Sequence, residues 1–302
     1  MPFIYDTFAI YDFIRYFVTH RKSSITSFIQ LKEEIHGYIL FEIQKAKIKK
    51  RLAKITYKDE SFYINGGIFI SPFAKSIITE NREQISCFLL DTTWKVLPYY
   101  VCSFLMALVK NVGIPLAFSF GNSENKKLYN RHFTVFKQKL GIDLEKFIFQ
   151  SDQGSALKGL FKDRNIKYFL CTRHLLKSLS FNEFSYSINN IVKCCTINEL
   201  QKAFFFYSEM FREIKDERKK QLLNRMLKKI GLTFDGNIIL VSKSDKWDKF
   251  SHLQRLPFKV PSTTNSLESF HGHLNSHVAR RNNFFHALFK LANTMLMTTQ
   301  NI

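Results

Sequence analysis

The stretch Cys87-Phe88-Leu89-Leu90-Asp91-Thr92-Thr93-Trp94 (residues 87–94) decides how this chain is read. Four residues that favour a protein interior are followed at once by a carboxylate. A short continuous apolar run of this kind predicts a buried strand. Asp91 then either opens a turn before Thr92-Thr93 or is presented at a sheet edge for chemistry. Two further apolar runs follow, "YYVCSFLMALV" (99–109) and "GIPLAFSF" (113–120), the second stopped by the turn pair Gly121-Asn122. Three strands with short links predict an antiparallel meander.

Beyond the meander, Tyr129, Phe133, Phe136 and Leu140 recur at steps of four, three and four before Gly141. That spacing predicts a helix with glycine as its stop. "KFIFQSD" (146–152) is a fourth strand, ending on Asp152, and "IKYFLC" (166–171) is a fifth. A short helix, "QGSALKGLFKD" (153–163), joins them. Residues 176 to about 255 read as mainly helical; in "KKQLLNRMLKKIG" (219–231), Leu222, Leu223, Met226, Leu227 and Ile230 share one side. Residues 1–80 read as helices and turns. Within them, "FEIQKAKIKKRLAKI" (41–55) sets Phe41, Ile48, Leu52 and Ile55 against Lys45, Lys47, Lys49, Lys50, Arg51 and Lys54. The expectation is an amphipathic basic helix whose charged face is either solvated or in contact with phosphate. The chain thus divides into a basic helical region, 1–80, and an α/β domain, 81–302, with a helical insertion at about 176–255.

The net charge is +20, from 45 Lys and Arg against 25 Asp and Glu, which points to a polyanionic partner, nucleic acid before any other. The five cysteines are odd in number and irregular in spacing, so a reducing compartment is expected rather than a disulfide framework. The N-terminus is interrupted by Asp6, Asp12 and Arg15 and has neither the form of a signal peptide nor a spanning run. A soluble, intracellular protein without a membrane partner is expected.

Asp91 and Asp152 each end a strand. If those strands pair in parallel, both carboxylates leave one sheet edge, where open α/β sheets carry their sites. Close carboxylates repel, which raises a pKa or recruits a hard cation such as Mg²⁺. A third acid, Glu268, lies in "PSTTNSLESFHGHLN" (261–275), where Leu267, Phe270, Leu274 and Val278 form an apolar stripe flanked by Glu268, His271 and Asn275. Each acid also has a structural reading. Asp91 suits a turn and Asp152 a helix N-cap, while Asn265 followed by Glu268 is a capping-box pattern.

The series "LLDTTW", "FQSDQGSALKGLF", "YFLCTRHLLKSL" and "STTNSLESFHGHLN" resembles the transposase domain of Mutator-like elements over roughly residues 80–290. The resemblance implies an RNase H-like core: a mixed five-stranded sheet flanked by helices, with a mainly helical insertion before the last catalytic helix. It implies that Asp91, Asp152 and Glu268 are the three catalytic acids and hold two Mg²⁺ (or Mn²⁺) ions. It also matches Cys171 and His174 to a Cys-x-x-His element. The implied activity is metal-dependent cleavage at transposon ends and strand transfer into target DNA. The partners would be double-stranded DNA and a homodimer or larger assembly, and the location the nucleus. The sequence departs from the family pattern in showing no zinc finger ahead of the catalytic region.

Cys171 and His174 are half of a zinc site, which His271 and His273 would have to complete; a DNA contact by His174 and a structural role for the pair are weighed ahead of zinc. Arg280 and Arg281 follow the glutamate helix and are either phosphate contacts or surface charge. Trp94 and Trp247 are either stacking surfaces for a flipped base, as an aromatic of the insertion is in some transposases related to the family it resembles, or structural. Core packing is expected of Trp94, and full or partial exposure of Trp247. Two alternatives to an active transposase remain: a retired, transposase-derived DNA-binding protein, and an RNase H-like metal-dependent nuclease.

Overall fold

The computed structural model describes residues 38–44, 52–57, 60–152, 154–178, 184–236, 238–277 and 284–300. The chain is α/β and forms two compact units. One takes the described residues up to Phe147, with Ala156–Asn165 and those from Asn265 onward; the other takes Ile148–Ser155 and Ile166–Thr264.

The first unit is built on the predicted meander. Strands β4 (Ile85–Thr93), β5 (Val101–Val109) and β6 (Val112–Gly121) pair antiparallel. Every residue of β5 is buried, as its unbroken apolar run requires. Between β5 and β6, Lys110 and Asn111 both adopt positive φ (47° and 68°), the backbone of a two-residue type I′ hairpin turn.

The N-terminal region departs from expectation. Its described residues up to Ile70 form strands, β1 (Tyr38–Gln44), β2 (Lys54–Tyr57) and β3 (Glu60–Ile70), where helices were predicted; only Ala74–Glu80 of the described residues in this region is helical. β3 pairs antiparallel with β1, β2 and β6, so three strands join the three read from the apolar runs. At both ends of the predicted basic helix, Phe41–Gln44 and Lys54–Ile55, the chain is a strand instead, while residues 45–51 lie outside the described residues. Phe41 is buried because it stands opposite Gly67 in the ladder, its ring 6.1 Å from that of Phe120. At these two ends, backbone pairing with β3 prevails over the helical spacing.

Helix α1 (Ala74–Glu80) follows β3. Helix α2 (Lys126–Val135) is N-capped by Asn125, widens into a π turn over Phe136–Leu140 and stops at Gly141 (φ 70°), as the spacing predicts. Aromatic rings fill the core: Phe69 lies 5.3 Å from Phe118, which lies 5.9 Å from Phe104. Helix α3 (Ser155–Asp163) also packs in this unit, with α10 (Asn265–His277) and α11 (Phe284–Gln300), and Phe270 of α10 and Phe284 of α11 join the ring cluster through Phe104 and Tyr100.

In the second unit, β7 (Phe149–Ser151) and β8 (Tyr168–Leu170) pair in parallel. They lead into helices α4 (Thr172–Ser178), α5 (Ser185–Lys193), α6 (Ile197–Glu213), α7 (Glu217–Lys229), α8 (Lys246–Phe250) and α9 (His252–Arg255), interrupted by a hairpin of β9 (Leu232–Phe234) and β10 (Ile239–Val241). The predicted stripe of α7 is real: Leu223, Met226, Leu227 and Ile230 are buried against Ile188 and Trp247. No helix among the described residues is long and apolar enough to cross a membrane.

Candidate active site

Asp91 stands opposite Phe104 in the β4–β5 ladder. Opposed residues of an antiparallel pair project from the same face, and the face bearing Phe104 is the one covered by α10. The Phe104 ring lies 5.8 Å from that of Phe270 and 5.1 Å from His271. Register alone therefore carries the Asp91 carboxylate beneath α10, where it is buried at 5% exposure. Its Oδ2 lies 4.0 Å from His271 Nδ1, and its Oδ1 accepts the Thr92 N–H at 2.8 Å.

Helix α10 buries Leu267, Phe270 and Leu274, three residues of the predicted stripe. Glu268 and His271 are half-buried beside it. Being three residues apart, they share a face of the helix. The first unit therefore brings together Asp91, His271 and the helix that carries Glu268. Asn265 opens that helix and is exposed, as is His273.

Asp152, Cys171 and His174 belong to the second unit. The parallel register sets Ser151 beside Leu170, and the Cys171 N–H donates to the Ser151 carbonyl at 2.8 Å. Asp152 and Cys171 thus leave the same carboxyl end of a parallel strand pair, the edge at which such sheets carry sites. The Asp152 Oδ1 accepts the Gly154 N–H at 2.9 Å, a turn just ahead of α3, where a helix N-cap was foreseen.

The Cys171 thiol is fully buried, and burial alone would push its pKa up. Hydrogen bonds from His174 and Thr264 outweigh this and hold it below the ordinary thiol value. Thr264 approaches through both its N–H (3.4 Å) and its hydroxyl (3.3 Å). His174 sits in the first turn of α4, as its place after the fifth strand suggests. All five cysteines are free, in keeping with the absence of a disulfide framework.

The segment 261–264 is stitched to the strands by side chains to which the sequence reading gave no role. The Gln150 amide donates to the Pro261 carbonyl at 2.8 Å, and the Thr172 hydroxyl donates to that of Ser262 at 2.8 Å. Arg255, at 0% exposure, donates to the carbonyls of Leu170, Lys249 and Pro261. No sequence pattern marks Arg255, because its partners are backbone carbonyls, two of them six residues away and one 85 residues away.

Two expectations are reversed. Trp94 is 55% exposed and Trp247 only 6%. Trp247 lies beside Gly231, which turns the chain at φ 82° after α7 and folds the polar "KSDKWDKF" segment (243–250) over the helical core. Trp94 falls just past the end of β4, where the ladder no longer covers it. Lys45, Lys49, Lys50, Arg51, Arg280 and Arg281, the candidate phosphate contacts, lie outside the described residues. Compared with known proteins, the chain matches no family model and no curated sequence.

Proposed function

We propose that the chain is a DNA transposase of the Mutator-like type, acting through an RNase H-like core on transposon ends and target DNA. The observation that carries this reading is the Asp91 arrangement. A buried carboxylate near the end of a core strand faces a helix that presents a second carboxylate, Glu268, and a histidine on one side. Burying a carboxylate costs several kcal/mol unless its charge is balanced, and a hard cation held between Asp91 and the acid of α10 would balance it well.

Asp91, Asp152 and Glu268 fit Mg²⁺ or Mn²⁺ by the chemistry of the donor set: three hard carboxylates, with no thiolate needed. Two such ions, when bound, activate water or a 3′-hydroxyl and stabilise the leaving oxygen of an in-line displacement. The chain's own part is to hold the acids. Asp91 is fixed by its strand and by the Thr92 N–H at one oxygen, with His271 Nδ1 4.0 Å from the other. Asp152 is fixed by the turn it makes to Gly154. Cys171 and His174 support the end of β8 rather than supply a zinc site on this reading. The basic charge of the chain fits a DNA substrate.

The test is nicking and end joining on DNA carrying the element ends, with Mg²⁺ or Mn²⁺. Asp91→Asn, Asp152→Asn and Glu268→Gln should each lower turnover to background while duplex affinity stays within about twofold, since only phosphoryl transfer needs the carboxylates. Activity that survives all three substitutions would sink the assignment. Binding of correct ends without chemistry in the parent would favour a retired, DNA-binding descendant.

A further inference from the structure

The loop from Trp94 to Tyr100 joins β4 to β5 and is anchored from inside. Val96, Leu97 and Tyr100 are buried at 2% exposure or less. The Tyr100 hydroxyl donates to the Ile64 carbonyl at 2.6 Å and accepts the Ala53 N–H at 3.0 Å, and its ring packs on Phe120 and Phe284. At the loop's start, the Thr93 hydroxyl accepts the Lys95 N–H at 3.2 Å. A loop held at both ends in this way has little freedom. Yet it turns two large aromatic side chains outward, Trp94 at 55% exposure and Tyr99 at 56%. Lys95 is exposed between them.

Tyr99 is the more telling of the two. The Tyr100 N–H donates to the Leu97 carbonyl at 3.4 Å, closing a turn with Pro98 and Tyr99 at its centre. Tyr99 has φ 69°. Proline followed by a positive-φ residue is the pattern of a type II turn, whose third position favours glycine or asparagine. A tyrosine there is strained, and its side chain recovers little by burial, with more than half of it exposed. The ring is useful only to something outside the loop.

The occupant follows from charge and place. Trp94 is three residues beyond Asp91, just past the end of β4, a span of at most about 10 Å at ~3.3 Å per residue. That is about the rise of three stacked bases. Exposed aromatic faces beside a cation bind unpaired bases by stacking, with little regard to sequence. We infer that Trp94 and Tyr99 form a stacking platform for an unpaired nucleobase flanking the phosphate at which Asp91 acts. The inference rests on the proposed function and extends it: the preferred substrate is DNA with an unpaired segment at the reacting end, rather than an uninterrupted duplex. Both are positioning residues.

The chain's two tryptophans make the test direct, because Trp94 is exposed and Trp247 is buried. Metal-free protein is titrated with a blunt duplex, the same duplex bearing a single-stranded tail, and the tailed duplex with abasic sites in its tail. Anisotropy of labelled DNA and tryptophan emission are read together. The tailed duplex should quench emission, and the abasic tail should not. Trp94→Ala should weaken tailed DNA about tenfold or more and leave blunt duplex unchanged, with Trp94→Phe retaining most of the affinity. Tyr99→Gly should also weaken tailed DNA while raising the melting temperature, because it relaxes the turn; unchanged tail affinity in that variant would remove Tyr99 from the platform. Tailed DNA that binds without altering emission, or equal affinity for tailed and blunt DNA, overturns the inference and leaves the transposase reading standing. Quenching that follows protein concentration without DNA also overturns it, in favour of a second copy docking on the loop. Binding of no DNA at all defeats both.

Discussion

His132 shows what one residue's surroundings do to its chemistry. It falls within the apolar stripe of α2, between Tyr129 and Phe136, and is fully buried. Its Nε2 lies 3.0 Å from the Ser119 hydroxyl, which also donates to the Leu128 carbonyl at 3.0 Å. Burial drives its pKa down to about 3, with the neighbouring Arg131 adding to the effect. In the unfolded chain a histidine titrates near ~6.5. Between these values the unfolded state binds the extra proton, so stability is full above about pH 6.5 and drains away as the pH falls through the window. The loss is on the order of 1.4 kcal/mol per pH unit. Urea midpoints at about pH 7 and pH 5 should therefore diverge by less in His132→Leu, which removes the titration and leaves Ser119 its bond to Leu128; an unchanged divergence would show that other groups set the acid sensitivity. Spacing alone could place this histidine on the buried face of its helix. Arg255 and the tryptophans were not readable in that way. Trp247 follows charged neighbours and Trp94 an apolar run, yet the turn at Gly231 and the end of the β4 ladder decide their burial the other way.

Elements with strong local signals were legible: the apolar runs of β4, β5 and β6, the stripes of α2 and α7, and the glycine stop after α2. β1 and β3 were not, because what makes them strands is a fit between distant glycines and aromatics. In β3, Gly67 stands between Phe41 and Phe120 of its two neighbours. A Cβ there would meet the Leu40 carbonyl oxygen at 2.5 Å and the Phe120 ring at 2.7 Å. Sequence shows only a glycine pair between two short apolar runs, Phe62–Ile64 and Ile68–Ile70, with nothing to name their partners. Gly67→Ala should cost about 1–3 kcal/mol, the usual range for overpacking, because the carbonyl belongs to a paired strand and has no room to retreat. Gly159, in the middle of α3, meets nothing within 4 Å. Gly159→Ala should stabilise by about 0.5–1 kcal/mol through helix propensity alone. Thermal melts of the two variants should move in opposite directions. Movement together would mean that the β1–β3–β6 approach is looser than the register indicates.

At the scale of the whole molecule the net charge of +20 has to be accounted for. In the first unit many cations are matched: Arg131 and Lys127 meet Glu42, Arg164 meets Glu145, Lys126 meets Asp163 and Lys137 meets Asp143. Glu42 is held below the usual carboxylate range by these cations, against the upward push of burial. On α7 of the second unit, Arg225 and Lys228 are exposed, and neither is ion-paired among the described residues. Surplus like charge destabilises a compact chain by self-repulsion, so its retention needs either a polyanion or a solubility role. Salt separates these. A protein that neutralises six to ten phosphates loses about 10³–10⁵ in duplex affinity between about 50 and 200 mM salt, whereas a charge that serves only solubility gives weak binding at any salt. Duplex affinity measured across that range should show the steep dependence. Arg225→Glu with Lys228→Glu should lower the log–log slope by about two if α7 contributes to the contact. An unchanged slope with intact steepness in the parent would move the phosphate-binding face away from α7, to the first unit or to the basic residues outside the described ones.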